Sequence, residues 1–140
     1  MKVIFLDVDG VLNNATPEKM HGSASWPTYD RLTRLKAIVD TTGAKIVLAS
    51  QWRLWPSSYR FLKGFLNRVG LDIYDTTLEI DRDKNLEIKQ YLDTHHIKGY
   101  VILEDTDLNE DLAAHQIKTI MGIGLQEEHV QRAIDILNHE

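Results

Sequence analysis

The 140-residue sequence contains no cysteine, which excludes disulfide bonds and thiolate metal sites. It also has little positive charge for a general nucleic-acid binder, because 16 Lys and Arg residues against 21 Asp and Glu residues give a net charge of −5. The longest apolar runs have about four residues, far fewer than the roughly 20 of a membrane-spanning helix. We therefore predict no membrane contact, and nothing in the sequence indicates an obligate protein partner.

The sequence also has little that would divide it into parts. It has only three prolines and no internal repeat, low-complexity tract or Pro/Gly/Ser-rich linker, so we predict a single domain over residues 1–140. A hydrophobic fraction of 43% and a charged fraction of 26% are typical of a globular protein. The first residues, MKVIFLDVDG, reach an acid too soon for a signal peptide. We therefore expect a cytoplasmic setting.

Alternating strand and helix patterns predict an α/β fold. Apolar runs at 3–6, 46–49 and 100–103 are typical of strands buried on both faces, and weaker patterns at 71–74 and 117–120 indicate further strands. Helical spacing predicts four helices: one from Tyr29 to Gly43, one capped by Ser57 or Ser58 and closed by Gly70, one capped by Asp81 or Asp83, and one that contains Val130 and Leu137. This order predicts a Rossmann-like open, mainly parallel β-sheet with helices on both faces.

Polar side chains follow three of these strands directly. Asp7 and Asp9 come after the first strand, Ser50 after the second, and Glu104 and Asp105 after the third clear run. Right-handed crossovers place the carboxyl ends of parallel strands at one edge of the sheet, where open α/β sheets bind ligands. We therefore expect these five side chains to converge.

A cluster of this composition favours phosphoryl transfer. Carboxylates that lie close together repel, so a raised pKa or a bound cation must offset their charge. Oxygen ligands without histidine or cysteine favour Mg²⁺, which is commonly shared between carboxylates and a phosphate. A serine hydroxyl and a lysine at the same edge would supply a donor and a positive charge for that phosphate.

Four segments, in this order, resemble the motifs of haloacid-dehalogenase-like (HAD-like) phosphatases. Phe5–Asn13 closely resembles the first motif, and Val47–Ser50 followed by Gln51, Trp52 and Arg53 is similar to the second. A lysine that opens a predicted helix, Lys84, resembles the third motif, and Tyr100–Asp105 resembles the fourth.

The resemblance covers the chain from Lys2 to about Leu137. The Ser-Gln-Trp-Arg run that begins at Ser50 and the tail through Gly124 and Leu125 are similar to a subgroup of small, cap-poor domains, some of them associated with RNA-repair proteins. The resemblance therefore implies a HAD-like fold with a minimal cap and phosphatase activity.

The resemblance also implies catalytic roles. Asp7 would attack the phosphorus and form an aspartyl-phosphate, while Asp9 would first protonate the leaving oxygen and then take a proton from water. Ser50 would donate a hydrogen bond to a phosphoryl oxygen. Lys84 would neutralise charge on Asp7, and Lys89, one turn further on, is the alternative lysine for this role.

Further residues are implied as metal ligands and substrate contacts. Mg²⁺ would be held by Asp7, by the backbone carbonyl of Asp9 and by Asp105, with Glu104 as a further candidate where many relatives have Asp or Gly. Backbone N–H groups from Val8 to Gly10 would surround the phosphoryl oxygens. Gln51 and Arg53 are candidate substrate contacts, although Arg53 has a second interpretation as the partner of an acid.

The spacing of the motifs predicts a large substrate. Only about fifteen polar residues, 13–28, separate Asn13 from the first helix, enough for a loop or flap but not for a folded cap. An open site admits a phosphate on a large group, so we predict a phosphorylated nucleotide or nucleic-acid end as substrate. Trp26, Trp52 and Trp55 are candidates for core packing or for stacking on a nucleobase.

Two other functions fit parts of the pattern. A receiver-like phospho-acceptor signalling domain also gathers acids, a Ser or Thr and a lysine at one sheet edge, but its phosphorylated Asp follows a later strand. A non-catalytic Mg²⁺-binding or RNA-binding module would use the same fold without turnover. Asp7 and Asp9 on the first motif favour the hydrolase over both.

Overall fold

Five parallel strands form the centre of the computed structural model, which describes residues 1–18 and 22–139. The strands are β1 (Lys2–Leu6), β2 (Lys45–Leu48), β3 (Asp75–Thr76), β4 (Gly99–Glu104) and β5 (Gln116–Lys118), in the spatial order β3-β2-β1-β4-β5. The predicted open parallel sheet is therefore confirmed. The order reverses beside β1, so the crevice for a ligand is expected where β1 and β4 end.

Helices cover both faces of the sheet, as predicted. They are α1 (Tyr29–Thr42), α2 (Pro56–Arg68), α3 (Lys84–Thr94), α4 (Glu110–Ala113) and α5 (Glu127–Asn138). Alternate residues of a strand point to opposite faces, so Ile4 and Leu6 pack with α1, α2 and α5, whereas Val3 and Phe5 pack with α3 and α4. Both faces of β1 are thus buried, which explains its continuous apolar run.

The helix starts follow local capping chemistry. The predicted cap of α2 by Ser57 or Ser58 is wrong, because Pro56 opens the helix with its fixed φ and Trp55 occupies the N-cap position. Asp83 caps α3, since its side chain accepts hydrogen bonds from the N–H groups of Asn85 and Leu86. The cap fixes the start of α3 and therefore the position of Lys84, the first residue of the helix.

Two predicted strands are displaced along the sequence. The pattern at 71–74 does not form β3, because Leu71 and Ile73 pack into the core with α1 and α2, and only Asp75–Thr76 pairs with β2. The pattern at 117–120 forms a strand one residue earlier, Gln116–Lys118, and Ile120 is exposed and bridges to Gly124.

The segment between β1 and α1 is short. Its described residues contain a 3₁₀ turn at Gly22–Ser25 and no folded cap domain, in agreement with the predicted minimal cap. Part of the predicted flap, residues 19–21, lies outside the described residues. No helix within the described ranges combines the length and apolar character needed to cross a membrane.

Candidate active site

Three carboxylates meet at the carboxyl ends of β1 and β4. One side-chain oxygen each from Asp7, Glu104 and Asp105 lies within 4.8 Å of the others. The pairing of Leu6 with Leu103 in the parallel register places Asp7 opposite Glu104. The predicted convergence is therefore confirmed for Asp7, Glu104 and Asp105.

Burial and mutual repulsion raise the pKa of two of these acids. Burial raises the pKa of Asp7 to about 7, an increase that Lys84 opposes and Glu104 reinforces. Burial also raises the pKa of Asp105 to about 6, and both a hydrogen bond with Glu104 and the negative charge of Glu104 add to this increase. A divalent cation would relieve this repulsion, so the cluster has the electrostatics expected of a metal site.

Lys84 is the cation that the structure itself supplies to this cluster. Its Nζ lies 3.3 Å from Asp7 Oδ1 and makes a direct ion pair with Glu104. Burial acts to lower the pKa of Lys84, but the two carboxylates more than offset this effect and raise it. Lys89 instead pairs with Asp111 on the surface, so Lys84 is the lysine that the structure brings to the acids.

An unusual backbone turn precedes Lys84. Asp81 and Arg82 both adopt positive φ angles, 52° and 54°, which are uncommon outside glycine. The Arg82 N–H donates to the Glu79 side chain, and Asp83 then caps α3. This turn brings the start of α3 to the edge of the sheet where β1 and β4 end.

Glu104 is buried and uses both carboxylate oxygens within the protein. Oε2 binds Lys84, and Oε1 accepts hydrogen bonds from the Thr106 N–H at 3.3 Å and the Thr106 hydroxyl at 3.1 Å. Burial acts to raise the pKa of Glu104, but Lys84 and the hydrogen bonds with Asp105 and Thr106 together keep the pKa below its usual value. Glu104 therefore adds negative charge to the cluster and orients Lys84.

Asp9 is held by a donor at each carboxylate oxygen. Asn13 Nδ2 donates to Asp9 Oδ1 at 2.8 Å, and Trp52 Nε1 donates to Asp9 Oδ2 at 3.2 Å. Asn13 is fully buried, and its own Oδ1 accepts from the N–H groups of Gly10 and Ala15. Sequence reasoning missed this role for both residues, although each belongs to a motif segment.

Two backbone N–H groups of the loop after β1, those of Val8 and Gly10, have partners within the protein. A hydrogen bond from the Val8 N–H lowers the pKa of Asp7, against the larger effect of burial. The Gly10 N–H donates to Asn13 Oδ1 at 3.1 Å, so the loop itself provides a partner for this donor, and its contact with a phosphoryl oxygen stays a prediction. Gly10 also allows close packing: a Cβ there would lie 2.5 Å from Asp105 Oδ2.

The same loop is hydrogen-bonded to the chain segment that follows β5. The buried Thr119 hydroxyl donates to the Gly10 carbonyl at 2.7 Å, and the Leu125 N–H donates to the Val11 carbonyl at 2.8 Å. Gly124 has a φ of 75°, and a Cβ at this position would lie 2.7 Å from the Val11 carbonyl oxygen. The position of the loop therefore depends on residues more than a hundred positions away.

Ser50 and its neighbours form the end of β2. The Ser50 hydroxyl accepts a bond of 3.1 Å from the Trp52 N–H, which leaves its own proton available for a ligand oxygen. Gln51 is exposed on the rim. Arg53 forms a 3.1 Å ion pair with Glu87, and both side chains are about 5% exposed. The structure thus supports the interpretation in which Arg53 pairs with an acid.

An open cavity of about 930 Å³ lies over these residues. Its lining includes predicted site residues: Asp7, Asp9, Ser50, Gln51, Arg53, Lys84 and Asp105. Its lining also includes large apolar side chains: Trp26, Trp52, Leu54, Trp55 and Phe61. The structure therefore brings together side chains from three strand ends and the start of α3.

A protein-family model described as the HAD domain in Swiss Army Knife RNA repair proteins matches residues 3–130. The chain belongs to this family. The predicted resemblance to HAD-like hydrolases, and to the subgroup found in RNA-repair proteins, is confirmed. No curated protein and no solved structure gives a significant match to the chain.

The residues of this HAD domain fit the metal that the family implies. Asp7 and Asp105 offer hard carboxylate oxygens in a cluster that already includes Glu104. Mg²⁺ prefers such ligands and shares them with phosphate oxygens. Burial, with a smaller contribution from the charge of Glu104, raises the pKa of Asp7 and Asp105, and a bound divalent ion would offset both effects by favouring the ionised carboxylates.

Proposed function

We propose that this HAD domain is a Mg²⁺-dependent phosphomonoester hydrolase that forms an aspartyl-phosphate on Asp7. One observation carries the proposal: a largely buried carboxylate, Asp7, faces an open cavity with Lys84 Nζ 3.3 Å from its Oδ1. Asp9, fixed by Trp52 and Asn13, lines the same cavity. A nucleophile, a counter-charge and a proton-transfer group are therefore present together.

In the first step, an Asp7 oxygen attacks the phosphorus in line with the bond to the leaving oxygen. The new O–P bond forms as the old one breaks, and Asp9 gives its proton to the leaving oxygen. In the second step, Asp9 takes a proton from water while the water oxygen attacks the phosphorus. The Asp7–phosphorus bond breaks, phosphate leaves, and both side chains return to their initial state.

Other groups of the site would hold the phosphoryl oxygens. The Ser50 hydroxyl has a proton to donate, because its oxygen already accepts from the Trp52 N–H. Lys84 would neutralise negative charge shared by Asp7 and the phosphoryl group. Mg²⁺, held by Asp7, Asp105 and the Asp9 carbonyl, would supply further positive charge during transfer. Glu104 acts on this chemistry through Lys84.

The substrate that we propose is a phosphorylated nucleotide or polynucleotide end. The cavity is open, and the described residues between β1 and α1 contain no cap domain, so a large group can enter with its phosphate. The family description, which refers to RNA repair proteins, supports a nucleic-acid substrate. The net charge of −5 disfavours tight binding of a long phosphate backbone, so recognition would be local. We also propose that the domain acts in the cytoplasm and needs no obligate protein partner.

The test is phosphate release in the presence and absence of Mg²⁺. End-phosphorylated oligonucleotides, mononucleotides and p-nitrophenyl phosphate are compared as substrates. Asp7→Asn should abolish turnover, and Asp9→Asn should reduce it by roughly 10²–10⁴-fold. Asp40→Asn, an exposed change on α1, is the matched control and should retain full activity. Full activity of Asp7→Asn would refute the mechanism.

The same assay separates the hydrolase from the receiver-like and non-catalytic alternatives. A receiver would accept a phosphoryl group and retain it, with no turnover of p-nitrophenyl phosphate. A non-catalytic module would bind Mg²⁺ or RNA but release no phosphate. Multiple turnovers that require Asp7 would exclude both alternatives.

A further inference from the structure

Three large aromatic side chains that line the cavity are exposed to solvent. Trp26 is 52% exposed, Trp55 is 51% exposed and Phe61 is 40% exposed, and all three line the cavity that contains Asp7 and Asp9. We call these three residues the aromatic ledge. A folded protein gains little from leaving such large apolar surfaces in water, and a group of them beside a polar site indicates a binding surface.

The ledge is continuous with the catalytic residues through a series of rings. Trp52 donates its indole N–H to Asp9, and its ring lies nearly parallel to that of Phe61, with centroids 6.3 Å apart and an interplanar angle of 29°. The ring of Trp26 follows, with its centroid 6.5 Å from that of Phe61. The ledge thus begins one ring away from the proton-transfer residue, close enough for one nucleotide to span both.

Most of the basic side chains around the cavity are already paired with acids. Three basic side chains line it, and two of them are already paired with acids: Lys84 with Asp7 and Glu104, and Arg53 with Glu87. The third, Arg82, is exposed and lines the cavity together with Glu79. The aromatic ledge adds flat, uncharged rings to the same lining. A ligand that places one phosphate at the acids and a planar, uncharged group on the ledge matches this arrangement.

We infer that the aromatic ledge binds the base of the nucleotide that carries the scissile phosphate, and that the substrate is an unpaired end of a polynucleotide strand. This inference rests on the proposed function and names its substrate class. Every nucleobase has a π-face, so stacking on Phe61 or Trp26 accepts different sequences. A terminal base in a duplex is held in the helix by its pairing and by the neighbour that covers one face, and the second strand would have to enter the cavity with it, so an unpaired nucleotide fits the rings better.

The inference predicts a preference that depends on the base. Two oligonucleotides with the same end phosphate are compared, one with a normal terminal base and one with an abasic terminal nucleotide. For the wild type, kcat/KM should be roughly 5- to 100-fold higher for the strand with the base, the range expected for one stacked base. A single-stranded end should also react faster than the end of a blunt duplex.

Substitutions in the ledge should remove this preference. In Phe61→Leu and Trp26→Leu, which keep an apolar side chain but lose the ring, the ratio of kcat/KM values for the two strands should fall toward one. Tyr74→Leu is the matched control, because Tyr74 is an exposed aromatic residue outside this cavity, with Lys45 over its ring. The ratio should stay at the wild-type value in this variant.

The outcomes separate the inference from the proposed function. Equal kcat/KM values for the two strands in the wild type, or equal losses on both strands in Phe61→Leu, would overturn the inference. Hydrolysis of the abasic strand would still support the proposed function. Absence of Mg²⁺-dependent hydrolysis of every substrate would overturn the proposed function. In that case, equilibrium binding of the two strands to Asp7→Asn decides the inference: equal affinities would refute it, and tighter binding of the strand with the base would support it.

Discussion

Trp52 Nε1 donates a hydrogen bond of 3.2 Å to Asp9 Oδ2, so the segment after β2 fixes a carboxylate that follows β1. Asn13 holds the other oxygen of Asp9 at 2.8 Å. With a donor at each oxygen, the carboxyl plane of Asp9 has a defined orientation toward the cavity. A proton-transfer group is effective when its geometry is fixed in this way.

Removal of the indole donor should slow the step that Asp9 assists. Trp52→Phe keeps an aromatic ring but loses the N–H group, and we expect kcat/KM for a nucleotide end to fall about 10- to 100-fold, as for loss of a hydrogen bond to a charged group. The alcohol leaving group of a nucleotide needs a proton, whereas p-nitrophenolate leaves without one. The loss should therefore be smaller with p-nitrophenyl phosphate, and equal losses on both substrates would contradict a role through Asp9.

Lys84 and Lys89 form a matched pair for testing the counter-charge. Lys84→Met should lower kcat by about 10²-fold or more, because a preorganised positive charge beside Asp7 and the phosphoryl group is lost. Lys89→Met removes only a surface ion pair with Asp111 and should leave kcat and the midpoint of thermal unfolding within error of the wild type. Steady-state kinetics on both variants make the comparison, and similar kcat values for the two would refute the assignment of Lys84.

Mg²⁺ binding should strengthen as the pH rises. Burial, with Glu104 acting in the same direction and Lys84 against it, raises the pKa of Asp7 from 3.8 to about 7, so between these pH values the folded protein retains a proton that the unfolded chain releases. Stability of the metal-free protein should therefore decrease as the pH rises through this window, while Mg²⁺, which needs the ionised form, should bind up to about tenfold more tightly per pH unit.

The increase in melting temperature caused by Mg²⁺, measured from about pH 5.5 to pH 8, checks this prediction. The increase should become larger up to about pH 7 and then level off. Asp7→Asn cannot ionise at this position and should show a smaller, flatter response. An effect of Mg²⁺ that is the same at both ends of the range would argue against the acidic cluster as the metal site.

Two left-handed glycines differ in what a methyl group would meet. At Gly43, with a φ of 72°, an added Cβ has no neighbour within 4 Å, so Gly43→Ala should cost only backbone strain, about 1–2 kcal/mol. At Gly124, with a φ of 75°, the Cβ would lie 2.5 Å from Arg31 Nε and 2.7 Å from the Val11 carbonyl oxygen. Gly124→Ala should therefore destabilise by about 2–5 kcal/mol, strain and overpacking together.

Unfolding in urea measures both glycine variants. Because Val11 belongs to the loop that carries Asp9, Gly124→Ala should also reduce turnover, whereas Gly43→Ala should not. Equal destabilisation by the two changes would show that contact with Val11 and Arg31 adds nothing to the strain.

The sequence predicted the parts of this molecule that depend on local pattern and sheet geometry. The apolar runs before Asp7 and Asp105 predicted two buried parallel strands, and the rule that such strands end at one edge predicted that these acids meet. The role of a lysine was implied by the resemblance to HAD-like phosphatases, and Lys84 was preferred to Lys89 because it lies nearer the start of the predicted helix. These inferences need no knowledge of which side chains contact each other.

The remaining features depend on contacts between distant segments. Trp52 binds Asp9 across 43 positions, and Arg53 pairs with Glu87 on another element, so neither contact follows from spacing along the chain. Whether the Gly10 N–H is available depends on the rotamer of Asn13, which the sequence does not specify. The displacement of β3 to Asp75–Thr76 has the same origin, because the competing core positions of Leu71 and Ile73 are set by packing.

The two hydrogen bonds from Thr119 and Leu125 to the loop after β1 predict that the proposed activity appears late during synthesis. A nascent chain that has reached Asp105 contains every candidate catalytic side chain but neither of these bonds. The loop that carries Asp9 can then take its final position only after about twenty more residues have been added. A product truncated before Leu125 would contain all the candidate catalytic side chains, but the loop would lack both hydrogen bonds. Activity would thus appear late, once the chain past Leu125 has packed.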